Sequence, residues 1–192
     1  MKTFIIMYAA AISFAACNND NNSAKGSNAK TTDSTAIQTP AAPINEAKAN
    51  PLKETLSAYL QIKNGLANEN GKDAASGGKA LVDAIGKVDK TKFTADQNKT
   101  YSDVADDAKE MAEHIGENAD KLEHQREHFD MLSNDVYDMV KTFGAGQPLY
   151  KDFCPMYNNK KGAFWLSETK EIKNPYLGKK MPACGSVKEE LK

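Results

Sequence analysis

Two short sulfur-bearing motifs near the C-terminus hold the residues best suited to chemistry. Cys154-Pro155-Met156 and Met181-Pro182-Ala183-Cys184 mirror each other, and each places a thiol and a thioether beside a conformationally rigid proline. Soft sulfur donors suit Cu(I), Ag(I) or Zn(II). Two cysteines suit a disulfide as well, and free buried thiols are a third interpretation. The motifs therefore predict either a soft-metal site with Cys154, Met156, Met181 and Cys184 as donors or a Cys154–Cys184 disulfide.

The three histidines of the chain fall in one stretch that is predicted to form a helical hairpin. His114 lies near the end of the third predicted helix, whereas His124 and His128 are one turn apart on the fourth. Such a pair can chelate a metal, and His114 or His128 could complete a mixed sulfur and nitrogen site. Charged residues interleaved with the histidines fit a solvated helix face equally well. Because the length of the fourth helix sets His124 far from Cys154, His128 is the easier nitrogen partner for the thiols.

Four helices are predicted between residues 51 and 143, where apolar residues recur with helical spacing. Asn50 and Pro51 suggest the start of the first helix, and Thr94 suggests the cap of the third. Gly77 and Gly78 weaken the start of the second. Gly116 and a capping pair, Asp120 with Glu123, favour a hairpin over one long kinked helix. The predicted fold class is therefore mainly α, with an up-down bundle of about four helices.

The tail after Gly144 has a different composition, with many glycines, prolines and aromatic residues. Its short apolar pieces, such as residues 163–166, predict an irregular segment with a short hairpin at most. Such a segment folds by packing on the bundle or by closing around a staple. Residues 51–192 are thus expected to form one folded domain, a helical bundle with a C-terminal Cys/Met segment packed on it.

The N-terminus has the pattern of an export signal. Lys2 is followed by the apolar run 4–14, and two alanines then precede Cys17 and a polar stretch. This order resembles a bacterial lipoprotein signal, although Phe14 stands where leucine is usual. The resemblance implies a signal peptide over residues 1–16 and lipidation of Cys17, and Asn18 is compatible with the outer membrane. An ordinary secretory signal with a stray cysteine is the alternative.

Residues 17–50 are poor in large apolar side chains and predict a disordered tether. If Cys17 carries a lipid and is left out of the cysteine count, Cys154 and Cys184 remain as an even pair in an exported protein. The net charge of −1 argues against a general nucleic-acid binder.

No sequence signature of an enzyme occurs, since phosphate-binding glycine loops, Gly-x-Ser-x-Gly and His-Glu-x-x-His are all missing from the chain. A nucleophile pair of Cys154 and His128 is conceivable, but nothing supplies an orienting third group. The chain is therefore expected to bind rather than to catalyse.

Several stretches together resemble a known family, namely residues 59–63, His124 to Phe129, Cys154-Pro155-Met156, residues 162–167, 174–178 and Cys184-Gly185. The family is an uncharacterised domain of exported bacterial lipoproteins. It is also found fused to periplasmic adaptor subunits that resemble those of copper and silver efflux systems. The resemblance implies heavy-metal handling, efflux-system proteins as partners, and the sulfurs and histidines as candidate ligands.

The resulting expectation is a tethered lipoprotein domain that faces the periplasm or sits on the outer membrane. It would bind Cu(I) or a similar soft ion and buffer it or pass it to an efflux partner. The alternative is a non-catalytic structural or protein-interaction domain stapled by a Cys154–Cys184 disulfide.

Overall fold

Four helices form an antiparallel bundle in the structure, a computed structural model that describes residues 50–192. The helices are α1 (Lys53–Ala67), α2 (Gly71–Gly86), α3 (Ala95–Glu117) and α4 (Leu122–Phe143). Successive helices pack against each other, and α1 also contacts α4, which closes the bundle. The predicted helical bundle and the α3–α4 hairpin are confirmed. The predicted signal peptide, the lipidated Cys17 and all but the last residue of the tether lie outside the described residues.

The helix starts follow local capping, with two departures from prediction. Thr94 and Gln97 form a reciprocal capping box at α3, as the cap prediction at Thr94 required. The helix α1 begins at Lys53, because the Asn50 side chain instead closes a turn by accepting the Leu52 N–H at 2.8 Å. The predicted capping pair of α4 is wrong, since no side chain caps its first turn and Glu123 binds Arg126 at 2.9 Å instead.

The helix α2 runs through the two glycines that were expected to weaken its start. A Cβ atom at Gly77 would lie 2.8 Å from the Ile62 backbone nitrogen of α1, and one at Gly78 would lie 2.6 Å from the Ala112 oxygen of α3. Both glycines therefore face neighbouring helices and allow their backbones to approach closely. Asn70 caps this helix by accepting the Asp73 N–H at 3.1 Å.

The tail is more regular than predicted, because it forms a three-stranded antiparallel sheet. Its strands are β1 (Leu149–Cys154), β2 (Ala163–Ser167) and β3 (Ser186–Leu191), in the order β2-β1-β3. Strand β2 packs on α4 and α1, so the sheet shares one core with the bundle. The prediction that the tail packs on the bundle is confirmed.

A buried tyrosine joins the two layers. The Tyr59 hydroxyl of α1 accepts the Leu166 N–H of β2 at 3.0 Å and donates to Ser133 Oγ of α4 at 2.8 Å. Ser133 in turn donates to the Phe129 carbonyl at 2.8 Å, so every polar group in this chain of hydrogen bonds has a partner. Among residues 50–192, no helix is both long and apolar enough to cross a membrane.

Candidate metal centres

The two predicted thiols meet in the tail. Cys154 is the last residue of β1 and is fully buried, whereas Cys184 lies in the segment before β3 and is partly exposed. Their sulfurs are 2.8 Å apart although 30 positions separate them in the chain. The structure thus brings together the cysteines of the two mirrored motifs.

The segment that carries Cys184 is held by an asparagine. The Asn174 side-chain amide donates to the Cys184 carbonyl at 2.6 Å, and the Asn174 N–H donates to the Pro182 carbonyl at 2.9 Å. The Cys184 N–H donates to the Met181 carbonyl at 3.1 Å. These backbone contacts place the outer thiol against the end of β1 and leave its sulfur as the more accessible of the two.

The Cys184 thiol resists ionisation. Its burial and the neighbouring Cys154 thiol raise the pKa of Cys184, and the Met156 N–H works in the opposite direction. A metal ion that bound this pair would displace protons, so its affinity would increase with pH. Met156 and Met181, the two predicted thioether donors, are 46% and 43% exposed, and both lie in the chain segment between Cys154 and Cys184.

The three histidines form a second cluster on the α3–α4 hairpin. One ligand atom of each of His114, His124 and His128 lies within 4.8 Å of the others, and all three residues are partly buried. The rings of His114 and His128 stack with centroids 4.3 Å apart, and the His124 ring meets the His128 ring edge to face at 4.4 Å. Within the described residues this is the sole group of three or more histidine, cysteine, aspartate or glutamate ligands that lie so close together.

The surroundings of this cluster are acidic and contain one more sulfur. Met111 Sδ lies 3.3 Å from His128 Nδ1. Glu110 lies 3.9 Å from His114 Nε2, and Glu127 lies 3.8 Å from His124 Nδ1. Burial of its ring, followed by the charges of the other two histidines, lowers the pKa of His128. A lowered pKa favours the uncharged imidazole, which is the form that ligates a metal ion.

An acidic groove of about 540 Å³ adjoins the hairpin. Glu123, Glu127 and Asp130 of α4 line one side, and the turn formed by Tyr157–Asn159 lines the other. Glu127 both lines this groove and contacts His124. Clustered carboxylates give the approach to the hairpin a negative potential, which attracts cations.

The six predicted donors therefore divide into two groups. Cys154 and Cys184 pair in the tail, and His114 and His128 join His124 on the helices without a thiol in their cluster. Sequence reasoning set His124 aside because it measured each histidine against Cys154. Met111, which is partly buried and packs against the core from α3, was not predicted as a donor. Both residues follow from the hairpin itself, since positions 111 and 114 of α3 lie opposite 124 and 128 of α4.

Residues 55–148 match the model of a family described as a protein of unknown function, DUF3347. The matched stretch starts within α1, contains the three histidines and ends before β1, so it is shorter than the resemblance expected from the sequence. Cys154 and Cys184 lie beyond it. No curated protein and no solved structure is significantly similar to the chain.

Proposed function

We propose that this chain is an exported, lipid-tethered domain that binds a soft metal ion, Cu(I) or Ag(I), and buffers it or passes it to an efflux system. Membrane attachment through a lipid on Cys17 and contact with efflux proteins are parts of this proposal. The observation that carries it is the meeting of two thiols from distant motifs, 2.8 Å apart, with the outer thiol partly exposed.

The ligand set fits such an ion because its donors are soft and because one of the two thiols can move to admit the ion. Thiolates and thioethers are the donors that Cu(I) selects. Metal–sulfur bonds of about 2.3 Å would hold two sulfurs up to ~4.6 Å apart, so the pair must open on binding. Cys184 is the residue that can move, because Cys154 is buried in a paired strand. Met156 and Met181 would supply thioether donors from the exposed side.

Cu(I) titration of the reduced full chain against a chromophoric chelator tests the proposal. Wild type should bind one equivalent, and Cys154→Ser with Cys184→Ser should weaken binding by at least about 100-fold, or ~2.7 kcal/mol. Met156→Leu and Met181→Leu should weaken it less. Met131→Leu is the matched control, because Met131 is also 46% exposed but lies on α4. Undiminished binding by the double serine variant would contradict the proposal.

The second candidate is a structural domain in which the same pair forms a disulfide. The closeness of the thiols favours it too, and an oxidising compartment would promote it. A 30-residue loop closed this way would stabilise the fold by about 3–4 kcal/mol on the chain-entropy account. The intact mass of non-reduced protein from its native compartment distinguishes the two candidates. A mass lower by two hydrogens, with no thiol at these positions open to alkylation, shows a disulfide and excludes the dithiolate site in that compartment.

A further inference from the structure

The histidine cluster on the α3–α4 hairpin is a site in its own right. We propose that His114, His124 and His128 bind one borderline transition-metal ion, with Cu(II) held most tightly and Zn(II) next, and that the Met111 thioether supplies the fourth donor. This inference stands independently of the proposed function, because none of its residues belongs to the thiol pair.

The arrangement of the donors suits one ion. His124 and His128 are one turn apart on α4, and His114 reaches them from α3, so three ligands come from two rigid elements joined by a tight hairpin. Metal–nitrogen bonds of about 2.0–2.1 Å in a tetrahedral site require nitrogen atoms about 3.3 Å apart. The present limit of 4.8 Å is therefore close to the binding geometry.

Side-chain rotation can supply the remaining movement. The His114 and His128 rings are parallel within 2°, so their lone pairs do not yet converge. The side chains of His114 and His124 are 43% and 38% exposed, which leaves their torsions free to turn inward. The backbone of the hairpin need not change.

The electrostatic setting favours a cation over three imidazolium ions. Three protonated rings whose ligand atoms lie within 4.8 Å of one another would repel each other, whereas neutral imidazoles can share one cation. Glu110 and Glu127 lie close to the rings, and the groove beside Glu127 adds Glu123 and Asp130. The alternative is that the histidines are solvated and paired only with acids. Against it, Met111 Sδ lies 3.3 Å from His128 Nδ1 and offers a soft donor beside the rings.

The donor set also determines which ion is bound. Imidazole suits Cu(II) and Zn(II), and affinity for a given nitrogen site follows the order in which Cu(II) exceeds Zn(II). A thioether adds a weak, soft fourth donor that copper accepts more readily than zinc does. The site therefore differs in softness from the thiol pair in the tail.

The test uses the full chain with Cys17→Ser, Cys154→Ser and Cys184→Ser, so that no thiol binds or reduces the probe. Cu(II) alone should bind at one equivalent, with nitrogen hyperfine coupling in the electron paramagnetic resonance spectrum. The chain contains three histidines in all, so this coupling can come from no other imidazole. Each of His114→Gln, His124→Gln and His128→Gln should weaken binding at least about 10-fold, or ~1.4 kcal/mol.

Two further variants make the outcome decisive. Glu117→Gln removes an exposed charge from the last turn of α3 without removing an imidazole, and it should bind like its parent. Equal losses in Glu117→Gln and the glutamine variants at the histidines would show nonspecific attraction and overturn the proposal. Met111→Leu should lower affinity for copper more than for Zn(II), and an unchanged ratio would remove Met111 from the ligand set.

A second measurement covers the case in which the serine variants fail to fold. Zn(II), which does not oxidise thiols, is added to wild type whose thiols have been alkylated or oxidised. All three histidine ring signals in the nuclear magnetic resonance spectrum should shift together and saturate at one equivalent. Shifts of fewer than three rings, or no saturation up to about 1 mM, would overturn the site.

Discussion

Single buried groups set much of the behaviour of this domain, and Asp152 is the clearest of them. This carboxyl lies on β1, fully buried, and neither of its oxygens has a hydrogen-bond partner within residues 50–192. Burial raises the pKa of Asp152 to about 7, with Lys63 opposing the shift. The ammonium of Lys63 is itself bound to Glu168 at 2.8 Å. The carboxyl group is therefore largely protonated at mildly acidic pH, where a charged form would be costly.

The raised pKa predicts that Asp152 makes the domain less stable as pH rises. An unfolded chain releases this proton near pH 4, whereas the folded chain holds it to about pH 7. The contribution of Asp152 is thus complete below pH 4 and is lost as pH rises to 7. Because about three pKa units correspond to about 4 kcal/mol, the loss should be up to about that size when measured by denaturant unfolding from pH 4 to 8.

Comparison with Asp152→Asn isolates this effect, since other carboxylates titrate over the same range. The difference in unfolding free energy between wild type and variant should fall across the window. A difference that stays flat with pH would contradict the prediction. Asp135→Asn is a useful comparison, because burial raises the pKa of Asp135 to about 6 and its window is accordingly narrower.

At the scale of the elements, α2 is positioned by its missing side chains. Gly77 faces α1 and Gly78 faces α3, so α2 approaches two neighbouring helices closely through two adjacent positions. A backbone oxygen and nitrogen stand where the Gly78 Cβ would go, namely those of Ala112 and Gly116. These atoms cannot move without displacing α3, the helix that carries His114.

Gly78→Ala is therefore expected to destabilise the domain by about 1–3 kcal/mol despite the better helix propensity of alanine. Gly86→Ala is the matched control on the same helix, because nothing lies within 4 Å of its added methyl group. That control should be neutral or stabilising by up to about 1 kcal/mol. Denaturant midpoints measure both, and equal effects of the two substitutions would rule out the packing explanation.

At the scale of the whole molecule, Arg126 connects the bundle to the tail. It is 3% exposed, donates from Nε to the Pro175 carbonyl at 2.9 Å and from Nη2 to the Leu66 carbonyl at 3.4 Å, and pairs with Glu123. One guanidinium thus joins α4, the end of α1 and the loop between β2 and β3. This loop leads to the segment that carries Cys184.

Replacing Arg126 with lysine should loosen the tail while leaving the helices formed. Lysine cannot satisfy three differently placed acceptors, and unpaired buried groups cost about 1–3 kcal/mol each. Amide hydrogen exchange should accelerate in residues 174–191 more than in α2. Lys99→Met, which breaks an exposed ion pair with Asp103, serves as the control and should change neither region. Uniform acceleration would indicate global destabilisation instead.

Local signals in the sequence were sufficient for the helices. The spacing of apolar residues, the Thr94 cap and Gly116 predict the bundle and its last hairpin, since each depends on near neighbours in the chain. The predicted capping pair of Asp120 and Glu123 does not form, because Glu123 binds Arg126 instead. Arg126 is held in place by the Pro175 carbonyl of the tail. The sheet was underestimated because its edge strand β3 has apolar residues only at Val187 and Leu191 and pairs with β1 from some 30 residues away.

The sequence by itself determined the inventory of this protein: four amphipathic helices, two thiols in mirrored motifs and three histidines. Periodicity and composition are properties of the amino-acid sequence, so they can be determined without the tertiary structure. Only the tertiary structure decided the partners. It pairs Cys154 with Cys184 and groups His124 with His114, His128 and Met111, because the distance between side chains depends on how α3 packs on α4 and how the tail folds back.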